Sequence, residues 1–303
     1  MALFPVQSRF PQQYKLLANL ISVYILWGST YLFIHFMTEN MPPLYMAGWR
    51  VLVAGGILYP FARLMGHPRP TRQEAVSAGI VGTLLLGISM GGMTIAIQYL
   101  PTGIAALLAG LLPLFLILIN WIAFAKRKPS KLAMMGLLIG VAGIALLVQP
   151  GSFKATSSHS WLGIVIILGC NIFWATGTLL SARLKLPHQL ISSAVQMLVG
   201  GALLLTVSLI FEPVSFLSIL DAPTKALGSL VYLAIFGSII GFSSYAWLAR
   251  NASPQLLSTY AYVNPVVAVF LGWAFAGEVL HGQSILAAGV ILLGVVLIVI
   301  GRR

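Results

Sequence analysis

Long apolar runs, broken by proline, glycine and clusters of charge, make up most of the chain. A helix needs about 20 apolar residues to cross a bilayer core. On that scale the breaks predict ten helices, over 16–36, 44–64, 75–99, 103–125, 132–148, 161–183, 190–211, 226–249, 255–276 and 283–300. The first run follows Arg9 and Lys15 in the manner of a signal peptide. Its apolar stretch is too long and lacks a convincing cleavage site, so a retained helix is expected. The connections are short and leave no room for a soluble domain.

Composition agrees with this pattern. Of the 303 residues 59% are hydrophobic and 7% charged, and the mean hydropathy is +0.98. A soluble domain carries about 25% charged residues, so this surface must face lipid. The net charge of +12 raises nucleic acid as a partner. The charges lie between apolar spans rather than along one helix, however, and nucleic-acid binding is not expected. Fourteen of the 17 basic residues (Arg9, Lys15, Arg63, Arg69, Arg72, Lys126, Arg127, Lys128, Lys131, Arg183, Lys185, Arg250, Arg302 and Arg303) fall on one side of the ten spans. Lys154 and Lys225 fall on the other, with Glu39, Glu212, Asp221 and Glu278. The positive-inside rule then places both termini in the cytoplasm.

The two halves repeat at an offset of about 150 residues. Trp27 matches Trp174, and Arg50-VLVAGGIL matches Gln196-MLVGGALL. Gly87 and Gly91 match Gly237 and Gly241, Pro113 and Trp121 match Pro265 and Trp273, and Gly143-IALLV matches Gly294-VVLIV. Each repeat holds an odd number of helices, five, so the second is inverted relative to the first. Inverted repeats suit a carrier, because one packing used twice upside down yields an inward-open and an outward-open state of similar energy. The expected fold is therefore an all-α polytopic membrane protein with ten transmembrane helices in two inverted five-helix repeats, 1–150 and 151–303.

These segments resemble a known family. LWGSTY at Leu26–Tyr31, PPLYMAGWRVLVAGG from Pro42, STYAYVNPVVAVFLGW at Ser258–Trp273 and the following Gly277-Glu278 are similar to the EamA-type branch of the drug/metabolite transporter superfamily, within it to the YedA-type inner-membrane exporters. The resemblance implies a ten-helix carrier of small metabolites, commonly amino acids or drugs and usually moving them outward. The chain departs from the pattern at Ala125-Lys126-Arg127, which stands where a second Gly-Glu would mirror Glu278.

Several intramembrane residues are candidates for a site. Tyr24, Trp27, Tyr31 and His35 share one stripe of helix 1, and Asn171, Trp174, Thr178 and Ser181 form a matching stripe of helix 6. Polar groups gain nothing from lipid, so both stripes should face the interior, either hydrogen-bonding between helices or lining a wet cavity. Pro113 and Pro265 fall at matched helix centres and should kink them, freeing the carbonyls of Ala109 and Ala261. Asn264 is placed to bond such a carbonyl or a substrate. Thr94 and Ser244 add a matched polar pair on helices 3 and 8, while Thr30 and Tyr260 complete the polar and aromatic set. Arg50 is the basic residue well inside a span, roughly 9 Å by helical rise from its outer end. It either serves a substrate or gate, or snorkels outward as an anchor.

Other chemistries find little support. GISMG at Gly87–Gly91 fits a nucleophile elbow, but it lies inside a helix and its mate has Ile239 where Ser89 stands. Asp221 is the sole aspartate and Cys170 the sole cysteine, which leaves no paired-aspartate protease, intrachain disulfide or thiolate metal site. There is no HExxH, CxxC or phosphate loop, so neither a metal nor a cofactor is expected. No Asp or Glu falls near a span centre to relay protons. The expected partners are a small-molecule substrate and the lipid bilayer. The alternatives to a carrier are a scaffold or receptor without flux, and an intramembrane enzyme. The site is expected near the midplane between helices 1, 3, 4, 6, 8 and 9, with helices 5 and 10 peripheral.

Overall fold

The computed structural model describes residues 12–125, 130–148, 159–252, 260–277 and 282–301. Among them every regular element is helical. In chain order these are α1 (Gln12–Thr38), α2 (Pro43–Leu64), α3 (Arg72–Ala96), α4 (Thr102–Phe124), α5 (Lys131–Val148), α6 (Ser160–Ser181), α7 (Gln189–Phe211), α8 (Thr224–Tyr232, continued by Leu233–Phe242 and Ser243–Asn251), α9 (Tyr260–Phe275) and α10 (Gly282–Ile300). Among the described residues seven helices, α1–α4 and α6–α8, are long and apolar enough to cross a membrane. The apolar stretches described in α5, α9 and α10 are shorter. The expected start of the ninth span at 255, Glu278, and Lys126–Lys128 lie outside the described residues.

Local chemistry sets several boundaries. Proline opens α2, where Pro43 occupies the first turn, and precedes α4 and α8 at Pro101 and Pro223. Proline is favoured there because its missing N–H is one of the unpaired donors of a helix start. Thr71 and Glu74 cap α3 reciprocally, each side chain accepting from the other's backbone N–H. Gly66 follows α2 with φ 86°, a left-handed conformation that disfavours any side chain.

Large apolar side chains such as Ile25, Ile57, Phe61, Val165, Val266 and Phe270 point outward. In water they would be a liability, whereas against acyl chains they are the ordinary surface of a membrane protein. Inside, α2 packs along α7 and α5 along α10. Helix α1 lies against α8 and α9, α6 lies against α3 and α4, and α4 also meets α9. Exchanging α1–α5 with α6–α10 maps each of these interfaces onto another or onto itself. The closest approaches occur at glycine. A Cβ on Gly201 of α7 would stand 2.8 Å from Leu52 N and 3.0 Å from Gly48 O of α2. One on Gly294 of α10 would stand 2.7 Å from Gly136 O and Gly140 N of α5.

Three helices depart from the regular geometry expected. α3 and α8 widen to i→i+5 bonding over Thr83–Met90 and Leu233–Phe242, at matched places in the two halves. Each wide segment holds glycines of the repeated G-xxx-G pair, Gly87 in α3 and Gly237 and Gly241 in α8. α4 leaves helical geometry at Gly110–Leu111, and Pro113 sits in the first turn of the segment that resumes at Leu112. The kink expected at Pro113 is therefore a break just before it.

The two ends of the bundle differ in chemistry. At one end Lys225 pairs with Glu39 at 2.6 Å, and its ammonium lies 4.1 Å from the Phe36 ring. That ammonium holds the Glu39 carboxyl below the ordinary carboxylate range. On the same side the Glu212 carboxylate accepts from the backbone N–H groups of Leu44 and Tyr45, both at 3.0 Å, and caps α2. The Tyr45 hydroxyl pins the short 3-10 helix Phe216–Asp221 by donating to Phe216 O and accepting from Ile219 N. At the other end the His67 and His188 rings stack at 3.5 Å. There Arg183 lies over the Phe124 ring at 4.3 Å.

Candidate functional site

The departures from regular helix converge on one internal space. A cavity of about 970 Å³, counting its mouth, is walled by α1–α4 and α6–α9, and no described residue of α5 or α10 lines it. Its wall is largely apolar: Ile34, Val51, Leu86, Met90, Met93, Leu112, Met197 and Phe242. Polar groups are few and placed singly, the arrangement that orients a small organic ligand.

An aromatic cluster occupies one side. Trp27 meets Trp174 edge-on at 6.1 Å and Tyr260 edge-on at 5.5 Å, and stacks on Tyr245 at 4.9 Å. Its indole N–H donates to Gly237 O at 3.1 Å. The bare backbone of Gly241 makes room for the ring, because a Cβ there would lie 2.7 Å from the indole nitrogen.

The helices that contain Pro113 and Pro265 each receive an asparagine at the carbonyl five residues before that proline. Asn171 Nδ2 of α6 donates to Leu108 O of α4 at 2.9 Å. Asn264 Nδ2, with the amide turned to face its acceptors, donates to Tyr260 O of its own helix at 3.3 Å and to Tyr24 O of α1 at 3.2 Å. Asn171 thus satisfies a carbonyl beside the break in α4, and Asn264 ties α9 to α1.

Arg50 is buried and reaches the wall from α2. Its Nε donates to Ser238 Oγ at 3.1 Å. A Cβ on Gly237 would crowd its Nη2 at 2.9 Å and the Thr30 methyl at 3.1 Å, so the guanidinium approaches α8 over bare backbone. The described wall contains no acid. Among the described residues no three histidine, cysteine or acidic side chains gather where they could hold a metal ion.

Comparison with known proteins places this cavity in a family. A match to the EamA-like transporter family covers residues 15–149 and again 161–300. The chain belongs to the EamA-like transporter family. It is 41% identical over 296 residues to the uncharacterized inner membrane transporter YedA of Escherichia coli (strain K12), spanning 97% of this chain and 94% of that one. It is 24% identical to a Salmonella typhimurium protein named "Probable amino-acid metabolite efflux pump", over 93% of each chain. A solved crystal structure with 19% identity aligns over 97% of this chain and 99% of its own, with a TM-score of 0.67, a likeness of fold. The protein is a multi-pass membrane transporter, and the resemblance carried by LWGSTY and the helix 9 segment extends over nearly the whole chain.

Within this EamA-like chain, Trp27, Thr30, Tyr31, Arg50, Asn171, Trp174, Tyr260, Asn264 and Pro265 all lie on the cavity wall. Thr94, Thr178, Ser244 and Pro113 do not. Thr94 is fully buried and Thr178 partly so, and their hydroxyls bond the carbonyls of Met90 and Trp174 one turn back. That local satisfaction removes any need for a wet surface. Ser244 is buried off the wall, and its neighbour Tyr245 joins the aromatic cluster instead. Ser238, Met90, Met93, Phe242 and Tyr245 were not expected at the site. Ser238 could have been found from Arg50, because a buried guanidinium demands a hydrogen-bond acceptor.

Proposed function

We propose that the protein exports small organic metabolites, amino acids or drug-like compounds, across the bacterial inner membrane by alternating access. The observation that carries this reading is the cavity, walled by helices of both halves and holding aromatic faces beside a few separate polar groups. The names of the Escherichia coli and Salmonella relatives agree with the location and with outward transport. In this reading residues 1–150 and 151–303 are two five-helix repeats in opposite orientation. The twofold exchange of helix contacts and the double family match support it. α5, α9 and α10 then complete ten crossings, with both termini cytoplasmic.

Two measurements test these statements. Purified protein in proteoliposomes should show counterflow of at least one member of a broad panel of amino acids and lipophilic drugs. A complete lack of counterflow would favour a scaffold without flux. Orientation is read by labelling single cysteines in a Cys170→Ala background. A cysteine at the exposed Lys225 should react with an impermeant maleimide from outside the cell, and one at the exposed Lys185 only from the cytoplasmic face. The reverse pattern would invert the topology.

A further inference from the structure

Among the described residues, the central cavity holds a cation without an anion. Arg50 is 6% exposed, and the hydrogen bond described for its guanidinium, Nε to the neutral Ser238 Oγ, leaves the paired Nη groups uncommitted. No carboxylate faces it among the described residues. Glu212 is held by the start of α2, Glu39 is paired with Lys225, and Glu74 caps α3. Burying an unpaired charge is costly, and inside a membrane such a group is retained where a partner arrives with function. We propose that Arg50 is the receptor for the carboxylate of the transported compound, and that the site takes organic monocarboxylates with an apolar or aromatic body, an amino group being dispensable. This rests on the carrier reading and narrows its substrate.

The chemistry follows from the fork. A guanidinium presents two parallel N–H donors that match a carboxylate's two oxygens. Ser238 fixes its far edge and Gly237 leaves the space beside Nη2. The same Gly237 accepts the Trp27 indole N–H, so the anion receptor and the aromatic cluster adjoin at one residue. A carboxylate bound there has its organic body directed along the rings. With no acid on the described wall, an ammonium finds no counter-ion and an amine alone gains little. The receptor is also one-sided. The repeat mate Gln196 lies off the wall, its amide bonded to Ser192 Oγ at 2.9 Å. A polyphosphate would require several buried cations, so a single charge selects a single one.

The test uses full-length protein in proteoliposomes, with 3-phenylpropanoate, 3-phenylpropanamide and phenethylamine as probes. Counterflow gives transport, and quenching of intrinsic tryptophan fluorescence gives binding. Wild type should bind and exchange the carboxylate, with the amide and amine weaker by about 10- to 100-fold, the loss of a charge-assisted hydrogen-bonded pair. Arg50→Gln should weaken the carboxylate by a similar factor and abolish the preference, and Arg50→Lys should restore part of it. The wild-type preference needs no variant, so it stands even where a substitution impairs folding. Equal handling of all three probes, or a preference for the amine, overturns the proposal while leaving a carrier. An Arg50→Gln variant that keeps the wild-type carboxylate preference overturns it as well. Absence of counterflow for these probes and for the broad panel removes the carrier reading and this proposal together.

Discussion

Replacing Gly201 with leucine is expected to eliminate folded protein from the membrane. Gly201 is where α7 rests on α2, and a Cβ there would lie 2.8 Å from Leu52 N and 3.0 Å from both Leu52 Cα and Gly48 O. All three are backbone atoms, so no rotamer change relieves the clash. The contact is reciprocal, since a Cβ on Gly48 would lie 2.9 Å from Leu205 N. Even Gly201→Ala should cost about 1–3 kcal/mol by forcing the helices apart. Gly56 offers the control. It lies on the same α2, but a Cβ there meets nothing within 4 Å. Gly56→Ala should be neutral or stabilising by up to about 1 kcal/mol, from helix propensity alone. Size-exclusion profiles and thermal melts of detergent-solubilised protein read both. Equal stability of Gly201→Ala and Gly56→Ala would contradict the packing described for α2 and α7.

Trp27→Ala is expected to suppress transport by at least about tenfold, because Trp27 is the common neighbour of Trp174, Tyr245 and Tyr260. Removing it leaves those rings without their shared contact and loses the hydrogen bond to Gly237 O that seats α1 against α8. Trp27 is partly buried, and cutting it to alanine also costs up to about 3 kcal/mol of stability, so folding must be monitored alongside. Trp27→Phe separates the two effects. It keeps a smaller ring in the cluster while giving up the indole N–H, so expression should stay close to wild type while transport is partly retained. Leu146→Ala in α5 is the comparison, since Leu146 packs on the core away from the cavity wall. If Leu146→Ala silenced counterflow and Trp27→Ala left it intact, the cavity would not be the path of the substrate.

Much of this site could be read along the chain. Trp27, Tyr31, Asn171 and Trp174 were legible because a polar or aromatic stripe on a membrane helix at helical spacing has a reason to turn inward. Arg50 was legible as a charge inside an apolar span. Tyr245 was not, and the reason is geometric. A phase counted at 3.6 residues per turn drifts across the wide segment Leu233–Phe242, so which residue beyond it faces Trp27 depends on a bulge that no local composition announces. Thr94 and Thr178 stand off the described wall, and a hydroxyl bonded to its own helix is as much at home in packing as in a cavity. The break at Gly110–Leu111 was foreshadowed by Pro113, but a break and a kink share the same proline signal.

The glycine seams of α2 with α7 and of α5 with α10 both bind the first half of the chain to the second. Mechanically they act as two welds across the line along which a pair of rigid halves would have to part. Glu212 adds a third tie by clamping the tip of α2 to the end of α7. Rigid halves swinging like jaws would tear these joints, where backbone approaches backbone at glycine. Under the alternating access proposed above, the compliance is expected in the interrupted α4 and the wide turns of α3 and α8, all of which border the cavity. The protein is in this sense a stiff frame with flexible staves, and a crosslink between α2 and α7 should leave its movement free while one between the staves should arrest it.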